Sequence, residues 1–299
     1  MGFGDGEHTD SIGRPLQIGD RITWTHGECG HCHYCVIEGE PTLCENWRLY
    51  MVGDYREFPH LIGGLAEYTY VFPTSGRLLV PEDLTDEVVS ASSCAMRTVV
   101  AAMERLGPLR PTDTVVVQGA GPVGLFAAAA AITGGADQVI VVGGPESRLE
   151  IARAWGAVVL PYDGPESDEA VLRGVLDATN GRGADVVIEA SGAPQAFLQG
   201  VDMARRGARY LIVGQVHEQE VPFNPSVLVM KQLNLIGSKS ATVRHYYRAL
   251  EFLRRTSDRF DWNRLFDAPY RLDEVMAAFD AMAEWRELKP VIRFDDGQA

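Results

Sequence analysis

Nowhere in its 299 residues does this chain carry an apolar run near the ~20 residues that a membrane-spanning helix needs. The first ten residues, MGFGDGEHTD, lack both a basic start and an apolar stretch, so they are no secretory signal. Basic charge is scarce: 27 Lys and Arg face 41 Asp and Glu, for a net charge of −14. Phosphates would be repelled, which excludes nucleic acid as a partner and favours solubility. Cysteine is scarce too, with five in all. Without a signal peptide, those five point to a reducing cytoplasm and to metal or catalytic thiols. No repeat or low-complexity tract is visible. The remainder, 46% hydrophobic and 23% charged, is ordinary globular composition, long enough for two modest domains.

Four of the cysteines crowd together. Cys29, Cys32, Cys35 and Cys44 are spaced C-x2-C-x2-C-x8-C. A soft tetrahedral metal is the natural occupant, and a closed four-sulfur zinc site is a stabilising unit. An iron–sulfur cluster is a second reading, because C-x2-C-x2-C opens ferredoxin-type runs. Against it, Glu45 and not proline follows Cys44. Disulfides are a third reading. His26, His31 and His33 stand among these cysteines, but four thiolates already complete a tetrahedron, so they read as loop residues.

Three stretches follow one another. Residues 1–94 are rich in Gly, Pro, Thr and aromatics, with short β-like runs at Arg21–Thr25 and Glu67–Phe72 around the cysteine loop. Residues 95–237 alternate strands and helices. Thr114–Val117, Gln138–Val142, Val158–Leu160, Asp185–Glu189 and Arg209–Val213 read as strands. Pro122–Thr133, Ser147–Trp155, Asp168–Thr179 and Pro194–Met203 read as helices. Strands apolar on both faces predict a parallel sheet wrapped by helices, an α/β doubly wound domain. Residues 238–299 are too few for a domain. They carry two amphipathic helices, Thr242–Arg255 and Asp273–Glu284, and a closing strand at Lys289–Phe294, and should pack onto another part.

Between the first two elements of the alternating region lies Gly119-Ala120-Gly121-Pro122-Val123-Gly124, a G-x-G-x-x-G. The pattern alone is weak, but a strand before it and a helix after it supply the dinucleotide-binding context. Gly119 permits a tight turn, Gly121 lets a pyrophosphate approach the backbone, and Gly124 lets the helix pack close. The helix N-terminus then faces the phosphates. An acid is expected at the end of the second strand to grip the adenosine ribose. Gly143 stands there instead, and the nearest carboxylate is Glu146. Arg148, a little further on, could face a ribose 2′-phosphate, which inclines the reading from NAD towards NADP. The bland reading of Arg148 is a solvated surface arginine.

With both features in one chain, the sequence resembles the medium-chain, zinc-dependent alcohol dehydrogenases. Pro15–Arg21, Gly64–Tyr68, Ser93-Cys94 with Thr98, Asp185–Gly192, Leu211–Gly214 and Lys289–Ile292 are similar to stretches of that family. The resemblance implies a GroES-like β domain bearing a structural zinc lobe at Cys29, Cys32, Cys35 and Cys44. It implies a Rossmann domain after it, and a C-terminus returning to the first domain. Thr98, Gly119, Gly121, Pro122, Val123, Gly124, Gly143, Arg148, Ser191 and Gly214 would face the nicotinamide cofactor. Cys94 corresponds to the last ligand of a catalytic zinc, which binds the substrate oxygen as a Lewis acid while a hydride passes to nicotinamide. A small alcohol, polyol or carbonyl compound is the implied substrate, and a homodimer or homotetramer the implied assembly.

The resemblance also leaves gaps. The family's first zinc cysteine and its Gly-His-Glu motif belong before the lobe. No cysteine precedes Cys29, and Gly6-Glu7-His8 has the wrong order. The relay residues of catalysis are therefore unassigned. Two explanations are open, a misassigned start and a real truncation; the first is favoured, and its expectation is a natural protein longer by about 60 residues with Met1 internal to it or an alternative start, by scaling to the family. The chain as given should hold cofactor and about one zinc, and oxidise alcohols poorly. A catalytically silent nucleotide-binding protein is the alternative. A zinc-independent reductase is disfavoured by the lobe and by Cys94.

Overall fold

The computed structural model describes residues 2–4, 6 and 8–294. Met1 and Glu7 lie outside them. The chain forms two compact units: Met1–Arg97 with Ser240–Ser257 and Trp262–Ala299, and Thr98–Lys239 with Asp258–Asp261.

The first unit opens on β1 (Ile22–Gly27), which buries alternate residues Thr23, Thr25 and Gly27. The cysteine loop follows, with the short helix α1 (His33–Val36) inside it. β2 (Ser75–Leu79) then pairs antiparallel with β1, matching Ile22 to Leu79 and bulging between Trp24 and Gly27. α2 (Asp86–Ala91) starts where Thr85 accepts a hydrogen bond from the Val88 amide and Asp86 and Glu87 fill the first turn. Those are standard N-terminal signals: a capping hydroxyl and acids at the positive end of the helix dipole. α2 runs directly into a π turn, Ser92–Met96.

The expected strand at Glu67–Phe72 does not form. Its amides find other partners: Tyr70 N–H donates to the Leu61 carbonyl, and Phe72 N–H to the Tyr50 hydroxyl. The strand nearest to it is β2, which the sequence reading passed over.

The second unit carries α3 (Arg97–Leu106), whose first residue belongs to the first unit, and then a regular alternation. In chain order this is β3 (Thr114–Gln118), α4 (Pro122–Thr133), β4 (Gln138–Gly143), α5 (Glu146–Ala154) and β5 (Val158–Pro161). Then come α6 (Asp168–Ala178), β6 (Ala184–Glu189), α7 (Pro194–Met203), β7 (Ala204–Ile212), α8 (Ser226–Lys231) and β8 (Asn234–Gly237). The six strands pair in parallel in the order β5-β4-β3-β6-β7-β8. That is the doubly wound order whose reversal beside the first strand opens a nucleotide-binding crevice. All five residues of β3 are buried. Val116, Ile140, Val187 and Tyr210 anchor one core cluster. Each such side chain contributes about 1.5–3 kcal/mol by leaving water. β7 begins earlier than the apolar run Arg209–Val213 suggests. Buried Ala204 opens it by pairing with Ala184, and the polar Arg205 and Arg206 stand at a break in register before the apolar run.

The chain then returns. α9 (Val243–Thr256) buries Tyr246, Ala249, Leu250 and Leu253, an i, i+3, i+4, i+7 stripe. That stripe meets β1, β2 and the π turn. α10 (Val275–Ala283) follows a 3-10 turn at Leu272–Glu274. The expected closing strand at Lys289–Phe294 is reduced to one isolated bridge, Tyr270 with Ile292. Among the described residues Tyr270 alone pairs with it, through one bond in each direction: the Tyr270 N–H to the Val291 carbonyl and the Arg293 N–H to the Tyr270 carbonyl.

Candidate functional site

The four loop cysteines come together. Their sulfurs all lie within 4.8 Å of one another. A tetrahedral zinc with bonds of about 2.3 Å needs sulfurs about 3.8 Å apart, so small side-chain adjustments suffice and the donor set fits zinc. Backbone amides support it. The Cys29 N–H donates to Cys44 Sγ at 3.3 Å, and Asn46 Nδ2 stands 3.7 Å from Cys29 Sγ. The His31 amide holds the Cys29 thiol down at about 6, the Glu45 amide lowers Cys32, and burial pushes Cys35 up to about 12. A metal, when bound, compensates all four thiolates and closes the loop. The neighbouring histidines stay outside the set: His33 pairs with Glu38 at 3.1 Å, and His26 stacks on Tyr50.

Cys94 lies elsewhere in the same unit. It sits in the middle of the π turn, exposed, on the wall of a cavity of about 500 Å³. π bulges inside helices recur at functional sites because the extra residue re-aims a side chain. Trp24, Tyr50, Met51 and Val89 supply much of the apolar wall, and Thr23, His26, Asp86, Ser93 and Arg97 are among its polar points. Burial, helped by the charge of Arg97, pushes His26 down to about 4, so it is neutral at physiological pH. The Ser93 hydroxyl donates to the Val89 carbonyl at 2.8 Å, leaving Thr23 Oγ1 to donate to Ser93 Oγ at 2.8 Å. Among the described residues the lobe is the only group of three or more metal donors. Cys94 therefore has no complete ligand set there.

The glycine-rich turn of the second unit has the shape the motif requires. Gly119 adopts φ +108°, and a Cβ on it would stand 3.0 Å from the Ser191 backbone. On Gly124 a Cβ would lie 1.8 Å from the Gly119 carbonyl oxygen, so only glycine lets α4 start there. Gly121 differs: a Cβ would meet nothing within 4 Å. That open space is what a pyrophosphate needs. Pro122 is the first residue of α4, Val123 the second, and no side chain caps this N-terminus. Its amides can take an anion.

At the carboxyl ends of the neighbouring strands the other expected cofactor residues gather round one group that the motif reading did not single out. Glu189, fully buried at the end of β6, accepts from the Ser191 amide at 2.8 Å, the Ser191 hydroxyl at 2.8 Å, the Gly192 amide at 2.7 Å and the Gly214 amide at 3.1 Å. It ties the ends of β6 and β7 into one floor. The sequence signal was present, since an acid ending an apolar strand must find donors. Gly143 ends β4 with room only for hydrogen, a Cβ standing 2.9 Å from the Ala120 amide nitrogen. Thr98 is half-buried in the first turn of α3.

Arg148 departs from the solvated reading. It is buried, 7% exposed, and burial lowers its pKa. Glu146, the nearest acid in sequence, pairs with Arg153 at 2.9 Å. A carboxylate that the sequence reading missed comes instead from the end of β5: Asp163 Oδ1 lies 3.9 Å from where a Cβ on Gly144 would stand. No linear motif could locate it, since the two turns meet only once β4 and β5 pair.

Comparison with known proteins agrees with this layout. Residues 6–82 match the alcohol dehydrogenase GroES-like domain, and residues 122–255 the zinc-binding dehydrogenase family. The chain is 33% identical to the 5-exo-hydroxycamphor dehydrogenase of Pseudomonas putida, over 97% of this chain and 80% of that protein. It is 32% identical to a probable D-xylulose reductase A of Arthroderma otae, over 95% and 77%. An alcohol dehydrogenase of Thermotoga maritima superposes with a TM-score of 0.89 at 32% identity, covering 97% of this chain and 80% of that one. A GroES-like unit and a Rossmann unit in one chain define a dehydrogenase of the medium-chain class. The protein belongs to the zinc-binding alcohol dehydrogenase family: it is a zinc- and NAD(P)-linked oxidoreductase acting on CH–OH groups of small molecules.

Proposed function

We propose that the substrate is a secondary alcohol on a compact apolar frame, bound in the cavity beside Cys94. One observation carries this reading: a cysteine re-aimed by a π turn faces a cavity of about 500 Å³ whose surface is mostly apolar, with Trp24, Tyr50 and Tyr246 among its lining. An open-chain polyol would leave its hydroxyls against Trp24 and Tyr50, and unpaired polar groups are expensive there. The likeness to a hydroxycamphor dehydrogenase supports the same choice. Neutral His26 offers a donor or acceptor to substrate oxygen, and Thr23 with Ser93 forms a hydroxyl pair at the cavity edge. In the second unit Gly119, Gly121 and Gly124 with the N-terminus of α4 bind the cofactor's pyrophosphate, and the floor held by Glu189 supports its other half. Thr98 takes the role that the family resemblance implies, nicotinamide contact, and Cys94 contributes one thiol of a metal-ligand set that is incomplete among the described residues.

Both nicotinamide cofactors are accepted in this proposal. Gly143 leaves room at the ribose and Glu146 is neutralised by Arg153, which favours NADP. Arg148 is too buried to serve as a phosphate hook, and Asp163 restrains the preference. The exposed edge strand β8 supports a homodimer built edge to edge, because an unpaired strand edge is a pairing template. No helix of the described residues is long and apolar enough to cross a membrane. Free thiols at the lobe suit a cytoplasmic location.

The test is cofactor reduction with a panel of alicyclic secondary alcohols and open-chain polyols. Turnover should favour the alicyclic compounds. Cys94→Ser should remove turnover while cofactor affinity stays within about twofold, a change under half a kcal/mol. A variant that turns over like the parent would overturn the role of Cys94.

A further inference from the structure

Arg97 is a buried cation in the wall of a cavity whose surface is mostly apolar. It is 7% exposed and lines the cavity that holds Cys94. Its Nε donates to the Ser93 carbonyl at 2.8 Å and its Nη1 to the Ser240 hydroxyl at 2.6 Å. Its Cζ lies 5.2 Å from the centroid of the Tyr246 ring. These contacts fix the guanidinium plane. They use neutral partners only: Arg97 makes no ion pair among the described residues, and its Nη2 donates to nothing there. A buried charge without a counter-charge is destabilising, and structural arginines in such places are normally paired. The nearby carboxylate of the cavity, Asp86, is engaged by Arg21.

A guanidinium held rigid on two sides with one edge unused is a fork for an electron-rich oxygen. We infer that Arg97 is a specificity-determining residue, and that the substrate carries a second oxygen acceptor, a carbonyl or carboxylate, beside the hydroxyl that reacts. The inference rests on the proposal that this cavity receives the substrate. Arg97 and Cys94 are three residues apart in the chain and line the same wall. One end of a small alicyclic substrate then lies at each. Apolar contact with Trp24 and Tyr50 fixes the frame, and Arg97 fixes which way round it lies. A donor to a charged or strongly polar oxygen in a dry site is stronger than the same bond in water. The order of preference is therefore carboxylate over ketone over no second oxygen.

Trp24 reports occupancy directly, since it lines the same cavity. Its fluorescence is followed while cyclohexanol, a hydroxycyclohexanone and a hydroxycyclohexanecarboxylate are titrated, with Trp24→Phe identifying the signal. The two compounds with a second oxygen should bind about tenfold or more tightly than cyclohexanol. In Arg97→Gln that difference should vanish while cyclohexanol affinity is kept, and Arg97→Lys should restore most of the carboxylate preference. The cyclohexanol titration shows that each variant still folds its cavity. Equal binding of all three compounds by the parent overturns the role of Arg97 and leaves the substrate cavity standing. So does an equal loss for all three in Arg97→Gln, which would mark a structural arginine. No Trp24 response to any of them overturns both.

Discussion

Five residues of β3 in the Rossmann unit are buried on both faces, and parallel strands flank them on either side. Among its described residues the GroES-like unit has a single two-stranded ribbon, broken by a bulge, and a run of large side chains in the open: Met51, Val52, Tyr55, Phe58 and Tyr68 are each more than two-thirds exposed. One unit is held by apolar burial and backbone ladders. The other leans on four thiolates that enclose a metal-sized space. The contrast locates the vulnerability of each. Burial is spread over dozens of side chains, so it fails gradually, whereas a lobe closed by one ion fails at once.

Metal removal should therefore produce the largest effect and separate the two units. Structural zinc sites of this kind bind with about 10–16 kcal/mol in isolated peptides, as much as a whole domain's stability. Chelation at neutral pH should open residues 29–48 to proteolysis and release one metal per lobe, while dinucleotide binding by the second unit persists. Mass mapping of the cleavage sites and a cofactor titration on the same sample measure both. Loss of cofactor binding in step with lobe cleavage would erase the distinction between the units.

The same contrast decides what could be read from the amino acids. β3, β4 and β6 carry uninterrupted apolar runs buried in the sheet, and β5 is a short apolar run at its edge, so β3 to β6 and their helices were legible to within a residue or two. Pro122–Thr133 and Pro194–Met203 coincide with α4 and α7, since proline opens each and a change of period closes it. In the first unit period and burial part company. Glu67–Phe72 alternates like a strand, yet it bonds to a loop carbonyl and a tyrosine hydroxyl. α2 and the π turn were overlooked although Thr85, Asp86 and Glu87 spell a helix start. The metal lobe was legible because cysteine spacing encodes it. The cavity was not, because it joins Trp24 of β1, Tyr50 of the loop after the lobe, Cys94 of the π turn and Tyr246 of α9, which meet only in the folded unit.

The next largest effect should fall in the other unit. A methyl group on Gly124 has no space, its carbon standing 1.8 Å from the Gly119 oxygen. Gly124→Ala should cost about 3 kcal/mol and abolish cofactor binding, since α4 must shift to relieve the overlap. Metal content should be unchanged, because the lobe belongs to the first unit. Isothermal titration with NAD and metal analysis check the pair, and a lobe that loses metal together with the cofactor would break the comparison from the opposite side.

Glu189 tests how far burial alone accounts for the Rossmann unit. Its carboxylate satisfies four donors at no exposure. Glu189→Gln keeps the shape but turns one oxygen into a donor that faces other donors. The expected loss is about 1–3 kcal/mol, read as a lower melting temperature, with cofactor affinity falling roughly tenfold as Ser191, Gly192 and Gly214 lose their common acceptor. A variant with normal melting and weakened cofactor binding would show that the carboxylate positions the floor without stabilising the sheet.

The smallest effect concerns charge at the surface. Asp163 is exposed, so removing its charge should leave melting unchanged to within about 0.5 kcal/mol. Its carboxylate nevertheless stands beside Gly144, where the second strand ends without an acid of its own. The 2′-phosphate of NADP brings negative charge to that neighbourhood, and NAD does not. Exposed charge pairs are worth up to about 1 kcal/mol, which corresponds to about a fivefold change in an equilibrium. Asp163→Asn should therefore raise the kcat/KM ratio of NADP over NAD about fivefold, and added salt should shrink the gap between parent and variant by screening the repulsion. A ratio indifferent to both changes would leave Gly143 and the turn after it as the whole determinant of cofactor choice. The sheet unit would then read its cofactor by shape alone, with no contribution from charge.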